Sequence, residues 1–559
     1  MIDAVPIGEL VRRQLVVYVV DRVQHAEDLA CQCPNPLALL ELVPVARGDS
    51  HLGDVDFGQL LVRIGVLGKG LDPLGRGQIE ISRRSLRNVR CGFHVQTDNL
   101  DASLVDSRGD RAHAVAGKKE WKMGFPEKGL TPDELTERLE EMRVNDADWK
   151  SGRTWSLVYS AGEHHESILK DAYCRYFNEN ALGPRAFPSL ARMEAEVVGA
   201  LLDLLNADPE SAGGTMASGG TESIILALKA YRDSKEQPTH SVVMPSTAHP
   251  AFRKACHLLR VDPIVIPVGP DLVADVEAMS QAIREDTVAL VASAPAYPYG
   301  LVDPIEALGA LAIERGIGLH VDAAIGGFVL PFARRLGYEV PPFDFSVAGV
   351  TSISADLHKY GYGPKGASTI LYRDRSLRRS QFYVDTGWPG GLLASPTLLG
   401  TRPGGAIAAA WAAIQHLGLS GYEAIFAEVL ACTKRLQSGI ESIGDLAVIG
   451  EPPASVFAFS SGSRDVFAIA DLMEQKGWRM DRQLNPDCLH LIVNPAHSAV
   501  ADEFLHDLAE SYERVPNRDR RRRRNYGYGV GAEIESADDI RESLIAALEA
   551  IYDAPGQQR

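Results

Sequence analysis

Three stretches of this chain carry residue types and spacings that could do chemistry together. At 218–223 the sequence SGGTES runs into an apolar-periodic stretch, Ile224 to Asp233, that predicts a helix. Glycines ahead of a helix N-terminus make an anion cradle, because free backbone N–H groups and the helix dipole point at the ligand. A Gly-rich turn that merely caps a helix is the competing reading. At 320–327, HVDAAIGG reads as a short buried strand ending in Asp322, then small residues and glycines. Ligands of open α/β sheets bind beyond the carboxyl ends of the strands, and Ala323 and Ala324 leave room for a flat ring. The competing reading is an aspartate that caps the next turn. At 351–366, TSISADLHKYGYGPKG sets Lys359 among apolar, aromatic and glycine residues, poor company for a solvated lysine. Burial lowers an amine's pKa and makes it a nucleophile. A phosphate cradle, a carboxylate and a buried lysine are what pyridoxal phosphate requires: an anchored phosphate, an acid on its ring nitrogen, and an amine for its aldehyde.

The elements that must position these residues follow from the same pattern. From about 213 to 375, Gly-rich turns and helical stretches alternate with short apolar runs at Val242 to Met244, Ile264 to Pro267, Val288 to Ala292 and Gly318 to Val321. Short buried strands alternating with helices predict an α/β fold with a mostly parallel central sheet flanked by helices. Upstream, Thr131 to Met142 predicts a helix capped by Thr131, and Arg192 to Leu205 predicts another. Beyond 400 come a helix over Gly405 to Leu417, another from Tyr422, and strands at Val456 to Phe459 and Leu489 to Val493, which suit a smaller C-terminal α+β domain. The expected organisation is an extension at 1–117, an N-terminal segment at 118–190, a large cofactor-binding domain at 191–400 and a small domain at 401–559. Residues 1–117 hold Lys69 as their one lysine and Tyr18, Phe57 and Phe93 as their aromatics. That is little apolar mass to offset ordering entropy, so a flexible extension or an over-long gene start, with Met123 the natural alternative, is expected over a true domain.

Composition narrows the function classes. The 559 residues are 45% hydrophobic and 23% charged, with a net charge of −17, which suits a soluble protein and disfavours general binding to nucleic acid or anionic membrane. The seven cysteines are scattered, without a CxxC pair, and read as reduced thiols; Cys31 and Cys33 lack a nearby partner cluster for a metal. The apolar run Ala406 to Ile414 is too short to span a bilayer, and the first residues lack the basic region of a secretory signal. A cytoplasmic location with no membrane anchor is expected. The run Arg520 to Arg524 reads as a solvated loop rather than a nucleic-acid or lipid contact.

From about residue 150 onward the chain resembles the sphingosine-1-phosphate lyases, within the group II decarboxylase branch of fold-type I pyridoxal-phosphate enzymes. The resemblance rests on TMASGGTESIILALKAYRD at 215–233, GVTSISADLHKYGYGPKG at 349–366 and PTLLGTRPGG at 396–405; HVDAAIGG is shared with amino-acid decarboxylases. It implies that Lys359 carries the cofactor as a Schiff base, that Asp322 pairs with the ring nitrogen and that His249 stacks on the ring. It also implies that Ala324 meets the opposite face, while Gly219, Gly220 and Thr221 bind the phosphate with His358 close by. Ser354 and Asp356 are weaker candidates. For the substrate it implies Tyr159, Tyr297, Lys365, Thr401 and Arg402, and for Tyr526 to Gly529 a segment approaching the active site.

The resemblance implies retro-aldol cleavage of a phosphorylated sphingoid base to a fatty aldehyde and phosphoethanolamine, in a homodimer with shared active sites. One departure stands out. Gly183, in NALGPRAFP at 180–188, occupies the place of a histidine common in these lyases, which leaves room for a different amine substrate. An amino-acid decarboxylase and a non-catalytic partner-binding protein on the same fold are the alternatives.

Overall fold

The computed structural model describes residues 125–517, three strands upstream and a few positions between 541 and 549. The upstream strands, β1 (Ala38–Pro44), β2 (Gln59–Val66) and β3 (Arg76–Ser82), pair antiparallel in the order β1-β2-β3. The rest of 1–117, with Cys31, Cys33 and Cys91, lies outside the described residues, as do Met123, Arg520 to Arg524 and Tyr526 to Gly529.

Residues 134–537 form the larger of two units. Its main sheet uses β4 (Gly213–Ala217), β5 (Ser241–Pro245), β6 (Asp262–Ile266), β7 (Thr287–Ser293), β8 (Gly318–Asp322), β9 (Ser352–Ala355) and β10 (Ser368–Tyr372), in the order β4-β10-β9-β8-β7-β5-β6. β5 to β9 run parallel and β10 alone opposes its neighbours. The predicted strands fall where the apolar runs placed them. The reversal of β10 was not in the pattern. It follows from its connection: a parallel neighbour needs a crossover with room for a helix, whereas residues 356–367 only fold over the end of the sheet and return. That returning loop carries Lys359.

Helices α1 (Pro132–Arg143), α2 (Glu163–Arg175), α3 (Pro188–Leu204), α4 (Gly220–Asp233), α5 (Ala251–Leu259), α6 (Val276–Gln281), α7 (Ile305–Arg315) and α8 (Gly326–Arg335) precede β9. Helix α3 starts earlier than its apolar period suggests, because Pro188 suits a first helical position. Helix α4 starts at Gly220 because the glycines supply the free N–H groups of a first turn. After α9 (Arg375–Arg379) and the hairpin β11 (Tyr383–Asp385) and β12 (Leu393–Ser395), the two helices expected beyond 404 are joined as α10 (Gly404–Glu441). Gly418, at φ 57° and ψ −177°, breaks the helical path between them.

The small domain is the sheet β13 (Leu446–Val448), β14 (Val456–Ser461), β16 (Cys488–Ile492) and β15 (Asp481–Gln483), in that spatial order, covered by α11 (Val466–Gln475) and α12 (Ala501–Arg514). Its core includes one residue from far upstream. Trp155 is fully buried with Trp478 and Phe504, and its ring stacks on His497 at 4.0 Å. The Trp155 N–H donates to the Arg479 carbonyl and the Ile492 N–H donates to the Trp155 carbonyl. The segment around residue 155 thus completes the small domain.

The seam between the two sheets depends on Gly300. At φ 73°, a Cβ there would lie 1.9 Å from the Val456 carbonyl oxygen, whereas Gly337, at φ 85°, has open space around the same position. Gly337→Ala should therefore cost about 1 kcal/mol, the left-handed backbone penalty alone. Gly300→Ala should cost about 3 kcal/mol or more, because a backbone must also move. Urea unfolding of the two variants beside the wild type measures both.

Candidate active site

The carboxyl ends of β4, β5, β7, β8 and β9 surround a cleft of about 440 Å³. It is lined by Gly219, Gly220 and Thr221 on one side, by His249, Asp322 and Ala324, and by Asp356, His358 and Lys359 on the returning loop. All but His249, which the resemblance supplied, belong to the three sequence stretches; the parallel register of β8 and β9 brings two of them together, and β10 joins the third through β4.

Lys359 is held by Asp356. The Nζ lies 3.0 Å from Asp356 Oδ2, and His358 Nε2 lies 3.6 Å from the same oxygen. Asp356 is 1% exposed and also accepts from the Ser368 hydroxyl, which meets Ser223 at 2.8 Å. Burial works against its ionisation, but Lys359, His358 and Ser368 outweigh that and hold the carboxyl below its usual range. The loop that presents Lys359 is fixed by its aromatics. Tyr360 donates to the Val493 carbonyl at 2.7 Å, and the Gly361 and Tyr362 carbonyls are bonded by Tyr422 and His165. Tyr362 sits at φ 51°, a left-handed conformation costing a side-chain-bearing residue about 1–2 kcal/mol.

Asp322 ends β8, 8% exposed. Its Oδ1 accepts the Ala324 N–H at 3.0 Å and the Ser354 hydroxyl at 3.1 Å. His249 Nδ1 accepts the Ala251 N–H at 3.2 Å, which pins the ring at the start of α5. Burial holds the His249 imidazole below its ordinary value and Lys359 adds to this, while Asp322 pulls it up. The turn at 218–221 fits an anion: a Cβ at Gly219 would lie 3.4 Å from the His358 ring, and one at Gly220 would lie 2.8 Å from Asp356 Oδ2. Glycine there keeps the backbone N–H groups bare. The cleft therefore offers the amine, the carboxylate, the flanking ring and the anion cradle that pyridoxal phosphate needs.

The expected substrate residues are less gathered. Tyr297 lines the cleft, but its hydroxyl donates to Asp481 Oδ2 at 2.6 Å and its ring lies 4.3 Å from that of His490. Tyr159 and Lys365 stand together outside the cleft lining, with Nζ 5.5 Å from the ring, and Lys365 donates to the Leu157 carbonyl at 2.8 Å. Thr401 accepts from Asn180 at 3.3 Å. Arg402 does not reach the cleft: both Glu194 oxygens hold its guanidinium, at 2.8 and 3.0 Å, in a separate groove along α3. At Gly183 the nearest obstacle to a Cβ is Ala186, 3.7 Å away, so no close contact demands glycine there.

Two positions escaped the sequence reading. Glu222 is buried and accepts the Ser218 N–H at 2.6 Å and the Leu398 N–H at 2.9 Å, tying the glycine turn to the segment before Arg402. An acid in a first helical turn was the available signal. Asp481 had none, since only the tertiary fold brings β15 to Tyr297.

The pyridoxal-dependent decarboxylase conserved domain matches residues 124–461. The sphingosine-1-phosphate lyase of Arabidopsis thaliana is 43% identical over 402 residues, covering 70% of this chain and 74% of that protein. Sphingosine-1-phosphate lyase 1 of Rattus norvegicus is 40% identical over 403 residues, 71% of each chain. Among solved structures, the sphingosine-1-phosphate lyase of Burkholderia pseudomallei matches with a TM-score of 0.72 at 38% identity, covering 78% of this chain and 98% of that one. The glutamate decarboxylase of Lactobacillus brevis, at 18% identity and a TM-score of 0.63, shares the fold.

Asp356 gives this site an acid limit. Its carboxyl is depressed in the folded state, so its stabilising contribution is present above the ordinary carboxylate value of about 3.9 and is lost as pH falls through the folded value. Wild type should exceed Asp356→Asn in stability by a constant amount above about pH 5, and the gap should close at lower pH. Urea unfolding of cofactor-free protein at a series of pH values reads this directly; a gap that widens on acidification would contradict it.

Proposed function

This chain belongs to the pyridoxal-dependent decarboxylase family, in its sphingosine-1-phosphate lyase branch, and we propose that it cleaves a phosphorylated sphingoid base by retro-aldol chemistry to a fatty aldehyde and phosphoethanolamine. The observation that carries this reading is the cleft in which Lys359, Asp322, His249 and the glycine turn converge. The family's cofactor is pyridoxal 5'-phosphate, and the protein is a pyridoxal-phosphate-dependent lyase. When bound, the cofactor supplies a sink for the electron pair released as a bond beside an amine breaks.

The positions of the chain's own residues in the cleft support the following roles. Lys359 Nζ is the amine that holds the cofactor, and Asp356 fixes where it points. When the cofactor is bound, Asp322 would pair with its ring nitrogen, His249 and Ala324 would flank its ring, and Gly219, Gly220 and Thr221 would take its phosphate with His358 alongside. Lys359 Nζ is the group at hand to take the substrate hydroxyl proton, and the Tyr297 hydroxyl can take it only while passing its own hydrogen to Asp481. Lys365 and Tyr159 lie just outside, where a phosphate head could be met by charge-assisted bonds; Thr401 and Arg402 are bonded to Asn180 and Glu194 instead.

A homodimer with shared active sites is part of the proposal. Tyr383, Val384, Trp388 and Leu392, on and around the β11–β12 hairpin, are each more than half exposed, an apolar edge that suits burial against a second copy. Sedimentation at working concentration should give twice the chain mass; a monomer contradicts it. Among the described residues no helix is long and apolar enough to cross a membrane, and a cytoplasmic location is proposed.

Gly183 and the commitment of Arg402 to Glu194 remove cationic groups from the substrate side, which favours amino-acid decarboxylation as a second reading. One assay separates them. Purified protein with pyridoxal phosphate should release long-chain aldehyde from a phosphorylated sphingoid base; carbon dioxide from amino acids, without aldehyde, would support the decarboxylase. Lys359→Ala should lose the visible absorbance of the loaded protein and at least about 10³-fold in activity.

A further inference from the structure

Behind Asp322 the sheet buries a line of polar groups that the reaction does not explain. Ser354 Oγ lies 3.1 Å from Asp322 Oδ1 and 3.4 Å from His320 Nε2. His320 Nδ1 lies 2.8 Å from Ser352 Oγ, which is 2.6 Å from the Tyr231 hydroxyl, itself 2.7 Å from Thr351 Oγ1. His320, Ser352 and Ser354 are fully buried, Tyr231 is nearly so, and the Phe252 ring meets His320 edge-on at 5.6 Å.

Proton counting gives this line a direction. Each hydroxyl has one hydrogen, and a neutral imidazole has one N–H. Burial holds His320 at about 4, against the pull of Asp322, so the ring is neutral near pH 7. The Thr351 hydroxyl can turn to the Leu319 carbonyl, 3.1 Å away, or to Tyr231. In the first case Tyr231 donates back to Thr351, Ser352 to Tyr231 and His320 Nδ1–H to Ser352, which leaves His320 Nε2 and the carboxylate both facing Ser354 with one hydrogen between them. In the second, Thr351 donates to Tyr231, Tyr231 to Ser352, Ser352 to His320 Nδ1, His320 Nε2–H to Ser354, and Ser354 to Asp322. Nothing on the line is then short of a hydrogen, and the Leu319 carbonyl keeps its bond from the Thr351 N–H. A buried anion at one end favours the second arrangement, because each dipole in it points at the charge and polarises the next.

We propose that Thr351, Tyr231, Ser352, His320 and Ser354 form a one-way hydrogen-bond chain ending on Asp322, with His320 as the Nε2–H tautomer, and that this chain positions the carboxylate. It saturates Oδ1 together with the Ala324 N–H and leaves Oδ2 for the cofactor's ring nitrogen. That last role rests on the cofactor reading above; the tautomer does not.

The tautomer is measured by ¹⁵N NMR of histidine-labelled, cofactor-free protein, with the His320 signals assigned by their loss in His320→Gln. The expected result is Nε2–H in wild type, by about ten to one or more, and a shift toward Nδ1–H in Asp322→Asn, where the orienting charge is gone. A wild type in the Nδ1–H form, or an Asp322→Asn variant with an unchanged ratio, overturns the proposal. Ser354→Ala, which cuts the chain at its last link, should weaken pyridoxal phosphate binding about tenfold, and Ser354→Thr should restore it. Undiminished affinity in Ser354→Ala overturns the positioning role. Failure of the wild type to take up pyridoxal phosphate would sink the cofactor reading instead, and the tautomer measurement would still decide the chain.

Discussion

The Asp356 carboxylate, buried where three elements meet, is the contact on which the site depends. It draws Lys359 down at 3.0 Å, sits beside His358, accepts from Ser368 on β10 and lies against Gly220 at the start of α4. A buried carboxylate needs several donors, and here they belong to the loop bearing Lys359 and to the reversed strand, with the glycine turn lying against the carboxylate. Their distances are therefore set together. The glycine at 220 answers the same demand, since a side chain would occupy the carboxylate's place.

The reversal of β10 serves that arrangement. Had residues 356–367 formed a helical crossover instead of turns, β10 could have joined the sheet parallel, and the loop bearing Lys359 would not close over the strand ends. A short return keeps the lysine at the carboxyl edge, and buried tyrosines stiffen it against the small domain and α10. The left-handed backbone at Tyr362 is part of the same packing.

Much of this was legible in the sequence, for physical reasons that differ by element. β5, β7 and β8 announced themselves because strands covered on both faces must be apolar throughout. The glycine turn, Asp322 and Lys359 were legible because cradle, acid and amine are chemically unusual in such settings. The antiparallel β10 could not be read from periodicity, which carries no direction. Asp481 was invisible because nothing local distinguishes an aspartate that meets a tyrosine 184 positions away. Ser354 was a weaker candidate and His320 an ordinary strand residue; only the register of β8 against β9 makes them neighbours of one carboxylate. Arg402 shows the converse, a residue in an expressive motif whose charge goes to Glu194.

The place of Trp155 in the small domain bears on how the chain acquires its shape. The small domain's core closes around an indole made long before the partners that cover it, Trp478, Ile492 and Phe504. At about 5–20 residues per second, roughly 20 to 70 seconds of synthesis separate the two. Throughout that interval the ribosome carries a chain with a large aromatic side chain lacking its partners, and the whole main sheet is made within it. The small domain is therefore not a late module appended to a finished one. It is the step that sequesters an early segment of the larger unit, and synthesis must run past β16 into α12 before that indole is covered.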